Sequence, residues 1–261
     1  MEYKKLNLIY FSATNTTKST VESIAQGMGI VNIVKYDITK GQNEEITFSE
    51  EDIVIFGLPV YSGRVPAISV DSLNKFTGNN TPAIIVCVYG NRDYDDALLE
   101  LRDIVIANGF SIVSAGAFIG QHSIFPQVGW SRPDKDDTEK TIDFGKRCIK
   151  LLENISDITI IPKIEVKGHF PYKIPKPVPL TPKGNRKCDA CGKCVRNCPT
   201  HAIDIDTPRK TDKSLCIACA RCIYVCPQKA RDFRGIIYKL ASRKFVKANA
   251  QRKEPEIILV N

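Results

Sequence analysis

The chain has 261 residues, 43% of them hydrophobic, which suits an α/β domain of ordinary size together with a smaller second domain. No apolar run approaches the roughly 18 residues that a membrane span needs, and the first residues lack the pattern of a signal peptide, so we expect a cytoplasmic protein without a membrane span. The net charge of +8 is unevenly spread. Residues 1–155 carry 15 Lys and Arg against 20 Asp and Glu, while residues 156–261 carry 22 Lys and Arg against 9 Asp and Glu. We do not expect nucleic acid as a partner.

The first predicted strand leads into a turn rich in hydroxyl groups. Residues 6–11 are apolar enough for a buried strand, and a helical pattern covers residues 18–28. Between them, exposed backbone N–H groups, the helix dipole and side-chain hydroxyls face the same place, which makes an anion site. The hydroxyl groups belong to Ser12, Thr14, Thr16 and Thr17. Because no basic side chain is among them, the turn suits a phosphate monoester held by neutral donors.

This turn resembles the phosphate loop of flavodoxins, which has the pattern Ser/Thr-x-Thr-Gly-x-Thr. Ser12, Thr14 and Thr17 match, and Asn15 stands where that family usually has glycine. Asparagine tolerates a positive φ better than most residues, so the turn can be retained. The resemblance implies that the loop, including Thr16, binds the phosphate of FMN. The alternative interpretation is a helix N-terminus in a hydroxyl-rich turn without a ligand.

Two further strands lead to a loop at the same edge of the predicted sheet. Residues 31–38 alternate like a strand, and residues 53–57 form a continuous apolar run typical of a parallel strand covered on both faces. The loop that follows reads Pro59-Val60-Tyr61-Ser62-Gly63. The flavodoxin resemblance implies that Tyr61 contacts the isoalloxazine ring and that Ser62 and Gly63 offer backbone N–H groups to it. A surface turn with a packing tyrosine is the alternative.

The fourth strand, at residues 82–88, leads into Tyr89-Gly90-Asn91 and then a helix at residues 95–108. In flavodoxin-like proteins this loop forms the other wall of the flavin site. The resemblance makes Tyr94 the candidate for stacking on the ring. It makes Gly90 and Asn91 the candidates for hydrogen bonds to the polar edge of the ring.

The last part of the first domain contains a fifth strand, a long loop and a closing helix. They are predicted at residues 111–120, 121–137 and 138–152. The loop is interpreted as a lid over the flavin or as a docking surface for the second domain, and His122 as a hydrogen-bonded loop residue rather than a catalytic acid. Five strands alternating with helices predict an α/β fold with a doubly wound, five-stranded parallel sheet over residues 1–155.

Residues 156–187 differ in composition from what precedes them, since six prolines fall in this segment. Extended, proline-stiffened chain behaves as a semi-rigid tether. We therefore expect a linker of fixed reach that limits where the following domain can sit.

Eight of the ten cysteines lie within residues 188–226, in two runs of the same spacing, C-x2-C-x2-C-x3-C-P. Four thiolates must converge on a cubane of iron and sulfide, and three closely spaced cysteines can cover one side of it. Each run resembles the cluster-binding run of bacterial two-cluster ferredoxins, whose fourth cysteine ligates the other cluster. The resemblance implies one 4Fe-4S cluster on Cys188, Cys191, Cys194 and Cys226. It implies a second on Cys198, Cys216, Cys219 and Cys222, within a small α+β domain at residues 188–232.

Other uses of these cysteines fit the sequence less well. A disulfide framework needs an oxidising compartment, and structural zinc favours C-x2-C pairs that are a dozen or more residues apart. Small residues also stand between the ligands, where the backbone must approach sulfide closely and can donate N–H bonds. They are Ala190, Gly192, Ala218 and Ala220.

The last segment, residues 233–261, is basic and contains a helical pattern. Its apolar residues are predicted to pack on one of the two domains, with Lys239, Arg243 and Lys247 on the opposite side. A role at a membrane surface or on nucleic acid is the disfavoured alternative. The apolar tail at residues 257–260 suits an edge strand or the cover of a seam.

As a whole the chain resembles flavodoxin–ferredoxin fusions of strict anaerobes, which implies electron transfer between FMN, two 4Fe-4S clusters and a redox partner protein. The acidic first domain and the basic second one suggest electrostatic docking within the chain, or recruitment of an acidic partner. One alternative is a flavin-dependent reductase of a small substrate, served by the loop at residues 121–137. Another is a first domain that docks without flavin. No G-x-G-x-x-G follows a strand, so an NAD(P) site is not predicted.

Overall fold

A computed structural model describes residues 3, 5–176 and 178–260 of the chain. The strands are β1 Lys5–Tyr10, β2 Ile33–Asp37, β3 Ile46–Phe48, β4 Asp52–Pro59, β5 Phe76–Gly78, β6 Thr81–Tyr89, β7 Phe110–Ile119, β8 Lys183–Gly184, β9 Arg231–Asp232 and β10 Glu256–Leu259. The α-helices are α1 Thr16–Met28, α2 Ala67–Leu73, α3 Ala97–Ala107, α4 Lys135–Asn154, α5 Lys193–Arg196, α6 Arg221–Tyr224 and α7 Ile236–Ala248. Among these helices none is long and apolar enough to cross a membrane.

The central sheet has the strand order β10-β7-β6-β4-β1-β2. Five neighbouring strands are parallel and follow the flavodoxin-like order, in which the chain reverses direction across the sheet beside β1. The predicted α/β fold with a five-stranded, doubly wound sheet is therefore confirmed. The sixth strand, β10, pairs antiparallel with β7 and comes from the far C-terminus, so the tail forms an edge strand on the first domain.

The apolar runs become strands because both faces of the sheet are covered. Every residue of β6 is buried, as are the inner residues of β4 and nearly all of β7. Helices α1 and α4 pack closely together on one face at a pair of glycines. A Cβ on Gly27 would lie 2.0 Å from the carbonyl oxygen of Ile142, and one on Gly145 would lie 2.1 Å from that of Ile24. Only glycine permits this approach.

Some small elements of the first domain were not predicted. Helix α2 and the two-stranded parallel pair β3–β5 lie outside the main sheet. They are short, and three-residue strands have no periodicity that a sequence pattern can detect.

The second domain is built from two short helices and one small ladder. Helices α5 and α6 have four residues each and lie within the two cysteine runs, and β8 pairs antiparallel with β9. The linker before it runs over the first domain rather than through solvent. Its Tyr172 hydroxyl donates to Asp103 at 2.6 Å, and the backbone N–H of Lys173 donates to Asp96 at 2.7 Å.

Candidate functional site

The structure brings the eight motif cysteines together in two groups of four, and none of them forms a disulfide. The first thiol set consists of Cys188, Cys191, Cys194 and Cys226, which line one small cavity. The second thiol set consists of Cys198, Cys216, Cys219 and Cys222, which line another. In both sets the fourth cysteine comes from the other run, which is the interleaved arrangement that the sequence resemblance implies.

Small residues bend the backbone around each thiol set. Ala190, Gly192, Ala218 and Ala220 all have φ between 54° and 68°, a left-handed conformation that is free for glycine and costs alanine roughly 1–2 kcal/mol. In one of these turns the N–H of Ala218 donates to Cys216 Sγ at 3.4 Å. After the fourth cysteine of each run, Ala202 donates to Cys198 Sγ and Ala230 donates to Cys226 Sγ, both at 3.3 Å. These two bonds occupy equivalent places in the two runs.

The donor chemistry of the second thiol set fits a metal cluster. Burial raises the pKa of the Cys219 thiol to about 12 and that of Cys222 to about 11. Raised thiol pKa values in a small, poorly solvated space favour the neutral form, whereas a bound cation deprotonates its thiol ligands and is neutralised in return. The lining offers four sulfur atoms, beside the hydroxyls of Thr200 and Thr211, which suits iron and sulfide.

A third cavity of about 360 Å³ lies at the carboxyl ends of β1, β4, β6 and β7. This volume is within the usual range for small-molecule and cofactor sites. Of the residues predicted to bind flavin, eleven line it: Ser12, Thr14, Thr16, Thr17, Pro59, Val60, Tyr61, Ser62, Gly63, Tyr89 and Gly90. Three do not, namely Asn15, Asn91 and Tyr94.

The turn between β1 and α1 is held by its own hydroxyl groups. Ser12 Oγ accepts a hydrogen bond from the N–H of Lys18 at 3.0 Å, and the N–H of Ser12 donates to Thr39 Oγ1 at 2.8 Å. Asn15 has φ of 64°, the left-handed conformation expected of a residue in the place of glycine. Its side chain turns away from the cavity and donates to the Tyr224 hydroxyl of the second domain at 2.9 Å.

Tyr61 lines the cavity close to the second thiol set. The backbone of Tyr61 pairs with that of Arg64 across a two-residue turn in which Ser62 and Gly63 both have positive φ. Burial raises the pKa of Tyr61 well above its ordinary value, and the neighbouring Cys219 sulfur raises it further. Its ring meets that of Phe11 edge-on, with centroids 6.1 Å apart.

The loop after β6 corrects two of the predicted roles. Tyr94 is 1% exposed, and its hydroxyl donates to Glu256 of β10 at 2.5 Å, so the ring lies under the tail instead of facing the cavity. The Asn91 amide donates to the carbonyls of Asn249 at 2.9 Å and Gln251 at 2.8 Å. Both residues therefore anchor the C-terminal segment, whose position the sequence pattern of the first domain could not reveal.

The loop after β7 forms a wall of the cavity through residues 120–125. His122 Nδ1 accepts hydrogen bonds from the N–H groups of Ile124 and Phe125, each at 3.1 Å. This fixes a neutral imidazole with its proton on Nε2. Burial, with a smaller contribution from Arg92, lowers the pKa of His122 to about 4. This geometry agrees with the prediction that His122 is a hydrogen-bonded loop residue.

The remaining walls of the cavity come from outside the first domain, which the sequence analysis did not foresee. Ile217 and Ala218, which separate Cys216 from Cys219, line it directly. Phe245 of α7 lines it as well, and packs on Phe125 and His122 with ring centroids 4.8 Å apart in each case. The rest of this wall is formed by the linker residues Lys173, Lys176 and Val178. Sequence patterns describe neighbouring residues, so they do not predict contacts between residues this far apart in the chain.

Arg221 of α6 fixes the second domain on the turn that follows β1. Its Nη1 donates to the carbonyl of Ala13 at 3.1 Å and to that of Ser12 at 3.4 Å. Its Nε is buried and has no hydrogen-bond partner. Since Arg221 also lines the cavity of the second thiol set, one side chain spans the distance between that set and the hydroxyl-rich turn.

Two parts of the chain are similar to known proteins. Residues 187–230 match the family model of the 4Fe-4S dicluster domain. A comparison with curated protein sequences finds no significant match. Among solved structures, a flavodoxin from the domain Archaea has 12% identity and a TM-score of 0.40, covering 57% of this chain and 99% of its own.

Two other solved structures are similarly distant. The Fusobacterium nucleatum flavodoxin bound to flavin mononucleotide has 16% identity and a TM-score of 0.40, covering 56% of this chain and 97% of its own. The apo form of an NADH:FMN oxidoreductase has 14% identity and a TM-score of 0.41, covering 59% of this chain and 91% of its own. Such identities carry neither cofactor nor activity across. The observed strand order and the match at residues 187–230 nevertheless identify a chain that joins a flavodoxin-like domain to a ferredoxin-type 4Fe-4S domain.

Proposed function

We propose that this protein transfers electrons between FMN and two 4Fe-4S clusters and on to a redox partner protein. The observation that carries the proposal is that Ile217 and Ala218, which lie between two cysteines of the second thiol set, form part of the wall of the flavin-sized cavity. A cluster on that set and a flavin in that cavity would share this short stretch of backbone. When bound, flavin exchanges electrons in pairs or singly and each cluster exchanges one, so the chain would convert between the two.

The turn after β1 is the proposed place for the FMN phosphate. Thr14, Thr16 and Thr17 line this end of the cavity, at the N-terminus of the thirteen-residue helix α1. Backbone N–H groups and the helix dipole favour an anion there. The nearby Arg221 adds a positive charge that the sequence analysis had not included, and this charge comes from the second domain.

Tyr61 and the loop after β7 are proposed to hold the isoalloxazine ring. Tyr61 lies on the side of the second thiol set. His122 faces the cavity with Nε2 as its hydrogen-bond donor, because Nδ1 is occupied by two backbone N–H groups. A fixed neutral donor would bind a carbonyl or a ring nitrogen of the flavin without changing its charge.

The two thiol sets would then act in a fixed order. The second set adjoins the cavity, and its Cys219 is part of the hydrophobic core of the first domain. The first set lies beyond it, and Cys191 is exposed. Electrons would therefore pass between flavin and the partner through the second set and then the first, with the partner docking near Cys191.

A flavin-dependent reductase of a small substrate is the second candidate. It is favoured by the polar groups of Arg92, Lys173 and Lys176 along the cavity, which suit an acidic substrate.

Anaerobic isolation followed by iron, sulfide and flavin analysis tests the proposal. The expected contents are eight irons, eight sulfides and one FMN for each chain, since two 4Fe-4S clusters and one mononucleotide are proposed. Stopped-flow reduction by dithionite should reduce flavin and clusters together, without turnover of added small acceptors. A preparation that contains zinc, or lacks flavin, would reject it, and steady turnover of a small acceptor would favour the reductase.

A further inference from the structure

The two cysteine runs share their spacing and, among the five residues after the fourth cysteine, a proline and an alanine at equivalent places. The first run continues Cys198-Pro199-Thr200-His201-Ala202-Ile203, and the second continues Cys226-Pro227-Gln228-Lys229-Ala230-Arg231. Arg231 thus occupies the place that isoleucine occupies in the first run. Ile203 is 3% exposed and packs with Cys194 and Cys222, whereas Arg231 brings a charge to the equivalent place and is 2% exposed.

Arg231 is a buried cation without a carboxylate partner in the described part of the chain. Its guanidinium donates to the carbonyls of Pro208 and of Pro182, the latter at 3.1 Å, and to the hydroxyl of Thr211. All of these acceptors are neutral. Nε is buried and has no hydrogen-bond partner among the residues that the structure describes. An isolated buried charge is costly, so its retention calls for a compensating negative charge nearby.

The groups that face this charge are thiols of both sets. Arg231 lines the cavity of the first thiol set. Two of the groups that accept from its guanidinium, the Pro182 carbonyl and the Thr211 hydroxyl, line the cavity of the second set. One side chain therefore faces both sets.

We propose that Arg231 is the shared counter-charge of the two clusters and raises the reduction potential of both. This inference rests on the proposed occupation of the thiol sets by iron and sulfide. Reduction adds one negative charge to a cluster, and a buried cation stabilises that charge because the surrounding dielectric constant is low. Net charge is one of the determinants of cluster potential, and Arg231 contributes a buried positive charge.

A redox titration of the full chain, monitored by electron paramagnetic resonance after anaerobic reconstitution, tests this role. The variants are Arg231→Gln and Arg231→Met, which are neutral, and Arg231→Lys, which keeps the charge. At the potential that half-reduces each wild-type cluster, the neutral variants should raise the oxidised-to-reduced ratio of both clusters at least tenfold, which is 59 mV for a one-electron couple. Arg231→Lys should change it less than threefold.

Arg196→Gln is the matched surface control. Arg196 is exposed, and its Nη2 donates to the carbonyl of Cys191 at 3.1 Å, so this variant also removes a positive charge beside a ligand. Water and salt screen that charge, and the ratio should change less than threefold and become wild-type at high salt. The shift caused by the buried residue should persist at high salt.

Each result has a defined meaning. If a neutral variant binds iron and sulfide normally but keeps wild-type potentials, or shifts one cluster only, the shared counter-charge is rejected. If both neutral variants fail to bind iron while Arg231→Lys is loaded with near wild-type potentials, the need for the charge is supported. If Arg231→Lys is shifted tenfold, charge is not the determinant and the proposal fails. Iron-free wild-type protein would instead reject the proposed function.

Discussion

Tyr61 and Tyr94 lie on loops that both follow central strands, yet only one of them faces the cavity. Tyr61 lines it, whereas Tyr94 is covered by the C-terminal strand and donates to Glu256. The two side chains therefore separate the proposed role in flavin binding, at Tyr61, from a role in folding, at Tyr94.

We expect Tyr61→Leu to weaken FMN binding about fivefold, because an aromatic contact is worth about 1 kcal/mol beyond its area. Tyr94→Phe should leave FMN affinity within twofold of wild type and lower the free energy of unfolding by about 1 kcal/mol, since it removes one hydrogen bond. Quenching of flavin fluorescence on binding and chemical denaturation measure the two quantities. Because Tyr94→Phe keeps the ring, stacking is tested by Tyr94→Leu, and a loss of FMN affinity in folded Tyr94→Leu as large as that in Tyr61→Leu would restore the stacking role first predicted for Tyr94.

His122 makes stability depend on pH. Its pKa falls from an ordinary value near 6.5 to about 4, with burial as the main cause. Between these values the unfolded chain binds more protons than the folded one, so the free energy of unfolding decreases as pH falls from about 6.5 to about 4. We expect His122→Gln to remove up to about 3 kcal/mol of this decrease.

Chemical denaturation of both proteins at several pH values in this window tests the prediction. His169→Gln serves as the control, because the side chain of His169 is exposed on the linker. Parallel pH curves for the wild type and His122→Gln would contradict the assignment.

At the level of single residues, what the sequence could predict depended on local chemistry. Asn15 in the place of glycine has the positive φ that its chemistry allows, and small residues between the cysteines bend the backbone as expected. Asn91 and Tyr94 could not be placed, because their partners are more than 150 positions away in the chain. A loop motif predicts the loop on which a residue lies, but a segment far away in the chain determines what its side chain contacts.

Strand β10 is the element that joins the end of the chain to its first domain. Its Ile258 pairs with Ala115 of β7, and the following Val260 is buried. Without it the outer edge of β7 would present unpaired backbone groups, which favour association between chains.

Deletion of residues 255–261 should lower the free energy of unfolding by about 3 kcal/mol, because it exposes apolar side chains and a sheet edge. It should also increase aggregation and weaken FMN binding, since α7 would lose its anchor and Phe245 its place beside His122. Thermal unfolding, light scattering and FMN titration measure these effects. Glu256→Gln, which keeps the strand, is the control, and a deletion variant as stable as that control would contradict the prediction.

At the level of elements, hydrophobic periodicity predicted the strands and long helices of the first domain, because each of them has the pattern of apolar residues typical of its type. The apolar runs of β4 and β6 indicated parallel strands covered on both faces, and they are. The tail was predicted only as an edge strand or a cover, since a short apolar stretch does not specify its neighbour. The same holds for the linker, whose prolines indicated stiffness but not a path across the first domain.

The acidic residues of the first domain form ion pairs mainly with basic residues of the linker and the tail. Lys173 of the linker pairs with Asp95 at 3.1 Å, and Lys167 pairs with Asp93 at 3.0 Å. Arg252 of the tail pairs with Asp134 at 2.7 Å. These pairs are partly exposed and are weakened by salt, whereas Arg221 of the cysteine run binds neutral carbonyls.

We therefore expect Arg221→Ala to slow electron transfer between flavin and clusters about tenfold without changing iron content, since the variant loosens the contact between the second thiol set and the cavity by roughly 1–2 kcal/mol. Laser-flash or stopped-flow kinetics measure the rate. Lys193→Ala is the matched control, because Lys193 has the equivalent place in the first run and is exposed. Equal rates in the two variants would reject the role of Arg221.

The return of the C-terminus to the sheet means that the iron–sulfur portion is secured at both ends, like an insertion within a domain rather than a module on a single tether. Residue 119 ends one strand of the sheet and residue 256 begins its antiparallel neighbour, so a wide swing of the intervening unit would require strand separation. If the proposed function holds, electrons would tunnel across a constant gap without a diffusive search. Exchange with other proteins would then be confined to the exposed end near Cys191, which would serve for both entry and exit of electrons.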